Sequence, residues 1–254
     1  MKGPVRDYLC VDLETTGLNP KLDKIIEIGA VKVTGGEITD IFQTFVHPGI
    51  ALSERVSALT GILAADLKDA PVIQEILPSF LEFAGELPLL GHRVLFDYSF
   101  LKRAAVNSGL TFEREGIDTL RLSRKFLPEL PSKRLSDLCE YFQIPIRAHR
   151  AMEDARATHH LYEKLCESFY EQQAFSPAPL IYKVKKEGPA TKAQKERLAR
   201  LLEQHGIAPD FEMEMLTKNE ASRLIDRILA AYGILQNQKK CIIMTGRVSD
   251  NGEF

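Results

Sequence analysis

Residues 11–18, VDLETTGL, set two carboxylates, Asp12 and Glu14, two positions apart in an apolar run that closes on Thr-Thr-Gly. In a strand, side chains at i and i+2 share a face, so both acids project the same way where the strand ends. Carboxylates that close repel each other unless positive charge lies between them. A bare Asp-x-Glu arises by chance about once in a chain of this length, so the octet gains meaning only from its surroundings. DYLCVDLE reads as a strand, and KIIEIGAVKV and ITDIFQTFV as two more, with Gly35-Gly36 joining these two as a hairpin.

Helical signals follow. Ser53 can cap SERVSALTG, and APVIQEILPSFLEFAG has a proline near its start, a glycine at its end and Pro78 inside, which should kink or split it. ELPLLGH reads as a short strand and DYSFLKRAAVNSG as a helix that Gly109 ends. LSDLCEYFQI and RAMEDARATHHLYEKLCESF carry apolar residues at three- and four-residue spacing. Three early strands, then helices and a further strand, indicate an α/β domain with a mixed sheet.

Beyond it, QQAFSPAPL reads as a linker. TKAQKERLARLLEQHG and TKNEASRLIDRILAAYG then form two amphipathic helices, each opening on Thr and closing on Gly, a hairpin too small to bury much core alone. MTGRVSDNGEF is expected to fray. Of 254 residues, 44% are hydrophobic and 27% charged, the balance of a globular chain with a sizeable core. The four cysteines, Cys10, Cys139, Cys166 and Cys241, form no CxxC pair, which argues against a disulfide framework or a zinc site. With no signal peptide and no long apolar segment, the expected location is the cytoplasm, with no membrane partner. Residues 1–182 carry 20 basic against 25 acidic side chains, and residues 183–240 carry 12 against 8. An acidic body with a basic appendage suits a metal-dependent enzyme with an accessory polyanion-binding segment; Lys192, Lys195, Arg197 and Arg200 are the residues to test, against a merely solvated helix face.

Further acids stand far along the chain. Asp97, in GHRVLFDYSFL, falls where a strand gives way to a helix, and Asp154, in HRAMEDA, lies in the first turns of a long helix. His149 precedes Asp154 by five residues, an offset that would turn it away on one helix, so it must stand in the preceding loop to share a site. Four carboxylates at strand ends and helix starts are natural around cations, and hard oxygen ligands select Mg²⁺ or Mn²⁺. Two such ions about 4 Å apart can hold a phosphodiester, activate a water and stabilise a leaving oxygen. A histidine is the natural base for that water.

VDLETTGL, GHRVLFDYSFL and HRAMEDARAT, in this order and near these spacings, resemble the three motifs of the DnaQ-like exonucleases in their histidine-bearing (DEDDh) branch. That family includes the proofreading epsilon subunit of bacterial DNA polymerase III. ALTGI and IDTLRLSRKFLPELPSKRLSDLCEYFQIP add to the likeness, which covers residues 5–170. The resemblance implies a ribonuclease H-like fold: a five-stranded mixed sheet flanked by helices, with the helical hairpin appended. The expected organisation is an exonuclease domain over 1–172, a linker over 173–190, the hairpin over 191–240 and a tail over 241–254. Asp12, Glu14, Asp97 and Asp154 would hold two divalent cations, and His149 would be the general base. Thr15 and Thr16 would engage the 3′-terminal nucleotide, Leu18 and Phe96 would pack near its base, and His92 would join the substrate contacts. The family often has Asn after the motif-two histidine, whereas this chain has Arg93. Asp118 matches a recurrent family position outside the metal set, and helix capping is its expected role.

The implied activity is 3′→5′ removal of nucleoside 5′-monophosphates from single-stranded or frayed DNA ends, in proofreading or repair. A DNA polymerase subunit is an expected partner, and QQAFSPAPL distantly resembles a sliding-clamp-binding peptide. Two alternatives stand beside this reading. One is an exoribonuclease of the same family, because the catalysis never touches the 2′-OH. The other is an inactive nucleic-acid-binding scaffold, against which the retention of all five residues argues.

Overall fold

The computed structural model describes residues 3–146 and 149–245, with side chains to residue 232. The chain forms two compact units, Met1–Lys186 and Glu187–Phe254.

The first unit opens with β1 (Tyr8–Thr15), β2 (Ile25–Thr34) and β3 (Glu37–Phe45), antiparallel neighbours in sequence order. Gly35 and Gly36, at φ 64° and 93°, make the tight turn between β2 and β3, a backbone that side chains with a Cβ disfavour. Three helices follow: α1 (Glu54–Thr60), α2 (Ala64–Leu67) and α3 (Ile73–Ala84). Ser53 accepts from the Val56 amide at the start of α1, and Gly61 ends that helix in the left-handed region. Helix α3 is continuous through Pro78, so the expected split does not occur; Ile76, Leu77 and Phe80, all buried, hold it against the core on both sides of the proline.

Next come β4 (Leu89–Gly91), α4 (Val94–Asn107), β5 (Glu115–Asp118), α5 (Thr119–Phe126), α6 (Leu135–Tyr141) and α7 (Ala151–Phe169). Helix α8 (Gln172–Phe175) and strand β6 (Ala178–Pro179) complete the unit. The sheet is mixed, in the order β3-β2-β1-β4-β5-β6, with β4 parallel to both β1 and β5. It therefore has six strands, one more than the five expected. The extra strand, only two residues long, pairs antiparallel with β5 and comes from the stretch read as a linker. The same stretch buries Phe175 at 1% exposure, with its ring 5.6 Å from Phe126 and 6.0 Å from Tyr162. A side chain held in the core cannot dock elsewhere, which removes QQAFSPAPL as a free clamp-binding peptide.

Alternation along β1 divides the core into two layers. Leu9, Val11 and Leu13 face the layer of α3 and α4, with Phe80, Tyr98 and Phe112. Tyr8 and Cys10 face the opposite layer, which α5, α6 and α7 cover with Leu122, Leu138, Ala155 and Leu161. Asp12 and Glu14 continue the second face. Gly29 of β2, paired with Asp12, allows α7 to come this close: a Cβ there would overlap the backbone of Ala151 and Met152. Gly29→Ala is expected to cost about 1–3 kcal/mol and to push the start of α7, with Asp154, off the sheet. Urea unfolding together with an activity assay checks both effects; wild-type values in the variant would contradict the close approach.

The second unit contains α9 (Lys192–His205) and α10 (Lys218–Thr245). Thr191 and Gln194 cap α9 reciprocally, and Thr217 with Glu220 caps α10. Leu198, Leu202, Leu216, Ala221, Ile225 and Ile228 form a small core of their own. Gly206 ends α9 at φ 61°, but Gly233 does not end α10, which runs on to Thr245. The expected tail therefore begins inside a helix, and residues 246–254 lie outside the described residues. Lys192 and Lys195 of the basic set pair with Glu196 and Glu214.

Candidate active site

The site lies where β1 outruns its parallel neighbour. Leu9 and Cys10 pair with Leu89 and Leu90, and β4 ends one residue later at Gly91. On the edge facing β4, the Leu9 amide donates to the Pro88 carbonyl at 2.9 Å. Four residues on, the Leu13 amide has no β4 carbonyl to meet and donates instead to Asp97 Oδ1, at 3.1 Å. Asp97, 3% exposed in the first turn of α4, is thereby fixed beside the strand that carries Asp12 and Glu14.

Asp154 arrives from the other layer, in the first turn of α7. His149 stands in the loop before that helix, as sharing a site requires, and its amide donates to Asp154 Oδ2 at 3.0 Å. Ligand atoms of Glu14, His149 and Asp154 lie within 4.8 Å of one another. His149, at φ 67°, and Arg93, at φ 77°, both occupy the left-handed region without being glycine. Such strain persists where surroundings over-determine it: the Asp154 carboxylate holds the His149 amide, and Asp118 Oδ1 holds the Arg93 amide at 3.0 Å. Asp118 also caps α5 through the Leu120 and Arg121 amides, so its capping role stands, and it ties two helix starts together.

The other expected contacts are placed less uniformly. Thr15 Oγ1 donates to the Gly17 carbonyl, and Thr16 Oγ1 accepts from the Lys24 amide, so both hydroxyls stabilise the turn itself. Leu18 lies beyond it, 77% exposed. Phe96 packs on Phe100, and the Arg93 guanidinium lies 5.7 Å from its ring centre. His92 departs from expectation. Its Nδ1 meets Thr119 Oγ1 at 2.9 Å and its Nε2 meets the Lys133 carbonyl at 2.8 Å, so both ring nitrogens are used inside the protein. It braces α5 and the loop before α6, which corrects its reading as a substrate contact.

Glu27, absent from the expected set, completes the frame. It sits in β2 opposite Glu14, is 1% exposed, and accepts from Arg150 Nη2 at 3.0 Å, the Ala151 amide at 3.2 Å and Gln43 Nε2 at 3.2 Å. One carboxylate thus clamps the start of α7 to the sheet. The sequence signal is a lone acid inside the apolar run IIEIGAV, two residues before Gly29 on the same face.

Burial, reinforced by mutual repulsion, pushes the site's carboxyls upward. Asp12 rises well above the usual carboxylate range through desolvation and the charges of Asp97, Asp154 and Glu14. Asp97 rises through desolvation, against the opposing pull of its own amide and that of Leu13. Desolvation and Asp154 carry Glu14 up to about 8, and desolvation carries Asp154 to about 6 despite the hydrogen bond from His149. Asp154 Oδ1 is buried with no hydrogen-bond partner. An orphaned carboxylate oxygen among crowded acids is the donor set of a hard divalent cation, so the residues fit one.

This crowding makes a pH prediction. These carboxyls bind protons more tightly folded than unfolded, so the ion-free stability they contribute is fullest below pH about 4. It falls as pH rises through about 6 and about 8, the Asp154 and Glu14 values. The rise in Tm on adding Mg²⁺ in place of chelator is therefore expected to be small near pH 5 and largest at pH 8 and above, read by scanning calorimetry. A rise independent of pH would contradict the crowding.

Comparison with known proteins agrees with this architecture. The family model described as Exonuclease (RNase_T) matches residues 9–162. The PolC-type DNA polymerase III of Caldanaerobacter subterraneus subsp. tengcongensis is 45% identical over 166 residues, covering 65% of this chain and 12% of that protein. The chain thus spans about an eighth of the PolC-type relatives it matches. The DNA polymerase III subunit epsilon of Aquifex aeolicus is 37% identical over 165 residues, covering 64% of this chain and 82% of that one. Among solved structures, the nuclease domain of 3′hExo, a DEDDh family member bound to rAMP, superposes with TM-score 0.58 at 20% identity, over 68% of this chain and 96% of that one. Exonuclease X in complex with 5′ overhanging duplex DNA gives 0.55 at 23%, over 66% and 96%. At such identities the structural likeness establishes the ribonuclease H-like fold. Among the described residues no helix is long and apolar enough to cross a membrane. On the family match over most of its first unit, the chain belongs to the exonuclease family.

Proposed function

We propose that this chain hydrolyses DNA from its 3′ end, releasing nucleoside 5′-monophosphates, in proofreading or repair. The observation that carries the reading is the convergence of Asp12, Glu14, Asp97 and Asp154, with His149, at the end of β1. Sequence separations above 80 residues are closed there at the cost of mutually repelling acids, two buried and two half-buried. Asp12, Glu14, Asp97 and Asp154 would hold two divalent cations, Mg²⁺ or Mn²⁺, which when bound polarise a water and neutralise charge on the phosphate.

The chain's own groups do the rest. His149, exposed and with a ring nitrogen in the Glu14–Asp154 group, takes the proton from the attacking water as the bond to the 3′ oxygen breaks. Thr15 and Thr16 fix the turn on which the terminal nucleotide rests. Leu18 and Phe96 offer apolar surface for its base. The relatives' names, DNA polymerase III of the PolC type and subunit epsilon, favour DNA over RNA and a polymerase as partner.

His149→Ala tests the assignment of the base. The rate is expected to fall by about 10²–10⁴-fold while Mn²⁺ binding, measured by calorimetry, is largely kept. A loss of less than tenfold would remove His149 as the base.

A further inference from the structure

On the same helix as Asp154, but away from the carboxylate site, His159, His160 and Glu163 bring three donor atoms together. We propose that they form a second metal site, one suited to Zn²⁺, Co²⁺ or Ni²⁺ rather than to Mg²⁺.

His159 Nε2 and His160 Nδ1 each lie 3.4 Å from Glu163 Oε2, and the three donor atoms all fall within 4.8 Å. That separation is long for a hydrogen bond to a carboxylate, which prefers about 2.7–3.2 Å. It matches the edge of a tetrahedron whose ligands sit about 2.0–2.2 Å from a zinc-like ion. Two imidazole nitrogens converge on one carboxylate oxygen. Each ring can present its own N–H to that oxygen, but only at the long separation seen, whereas one cation between them engages all three donor atoms at once.

The supporting contacts also have the form of a metal site. His159 is 3% exposed, and its second nitrogen, Nδ1, lies 2.8 Å from the hydroxyl of Tyr8, itself 1% exposed. A ligating histidine ordinarily spends its other nitrogen in this way, which fixes ring orientation and tautomer. A cation at Nε2 would select the tautomer with the proton on Nδ1, for which the Tyr8 hydroxyl is the acceptor in place. Burial also lowers the His159 pKa, keeping the imidazole in the neutral form that ligates. His160 is half exposed, leaving an entry path and an open position for water. Imidazole with a single carboxylate suits borderline metals, in contrast to the all-oxygen preference of Mg²⁺. A bound ion would tie α7 to β1 through Tyr8, on the same face as Asp12 and Glu14 but at the opposite end of the strand.

The test is Co²⁺ titration of the full chain in excess Mg²⁺, followed by its visible d–d absorption and by calorimetry. An Asp154→Asn background removes the Glu14–His149–Asp154 group as a competitor. One Co²⁺ equivalent, displaceable by Zn²⁺, is expected in that background. Adding His160→Ala or Glu163→Gln, both at accessible positions, is expected to weaken it at least tenfold, with circular dichroism unchanged. Absence of the Co²⁺ spectrum, or equal affinity in all three proteins, would overturn the proposal and leave the three groups sharing only protons. Neither readout depends on nuclease activity, so failure here would leave the proposed function intact.

Discussion

Asp12→Asn is expected to abolish Mg²⁺-dependent digestion, with a rate loss of about 10³-fold or more, while the protein stays folded. Asn keeps the shape of the carboxyl on the face of β1 that α7 covers, but supplies no charge to a cation. Asp12 sits at the centre of the repulsion: desolvation raises its pKa most, and Asp97, Asp154 and Glu14 all add to the rise. Removing its charge should therefore flatten the pH dependence of the ion-free stability. Above pH about 8, where the ionised carboxyls repel most, the chelated variant should equal or exceed the chelated wild type in Tm, because the lost charge was unfavourable there. The Tm gain on adding Mg²⁺ should shrink in the same variant. Full activity, or an undiminished Mg²⁺ effect, would refute Asp12 as a ligand.

Glu27→Ala carries the second large effect, by a different route. It strands the Ala151 amide at the start of α7 and leaves the Arg150 guanidinium without its partner. Breaking such a pair costs about 2–4 kcal/mol, here lessened because Arg150 is one-third exposed. Glu27 is buried, so no substrate reaches it, and its effect on chemistry runs through the placement of Asp154 and His149. The expected signature is a fall in kcat and weaker Mn²⁺ binding, with KM for a long oligonucleotide little changed. Glu27→Gln, which keeps one acceptor oxygen, should recover part of both. A variant that loses stability but keeps kcat and Mn²⁺ affinity would show that the clamp serves folding alone.

How much of this was legible in the sequence depends on where local chemistry had the last word. The Gly35-Gly36 hairpin and the Ser53, Thr191 and Thr217 caps form as read, because turn and cap geometry is decided within a few residues. The gathering of Asp12, Glu14, Asp97, His149 and Asp154 was readable because each sits near an element boundary, where a charge in apolar surroundings stands out. Glu27 was not, since a lone acid inside a strand normally points to solvent. Its burial follows from Gly29, which lets α7 land on that face, and such a contact spans more than 120 residues. Strand β6 escaped for the opposite reason: two residues, one of them Pro179, carry no periodicity, and only the exposed edge of β5 recruits them. His92 shows the limit of reading roles from motifs. Its position is as expected, yet Thr119 and Lys133 take both of its nitrogens.

The proposed activity is cleavage of the terminal phosphodiester at a 3′ end by the acids and His149 at the end of β1. Matched single-stranded DNA and RNA, labelled at the 5′ end or at the 3′-terminal nucleotide and digested with Mg²⁺ or Mn²⁺, test it most directly. Immediate release of the 3′ label as a mononucleotide, a descending ladder from the 5′ label, faster loss of DNA than of RNA, and full arrest by chelator are expected. Mononucleotides released first from the 5′ end, internal cuts, or digestion that survives both chelation and Asp12→Asn would contradict it.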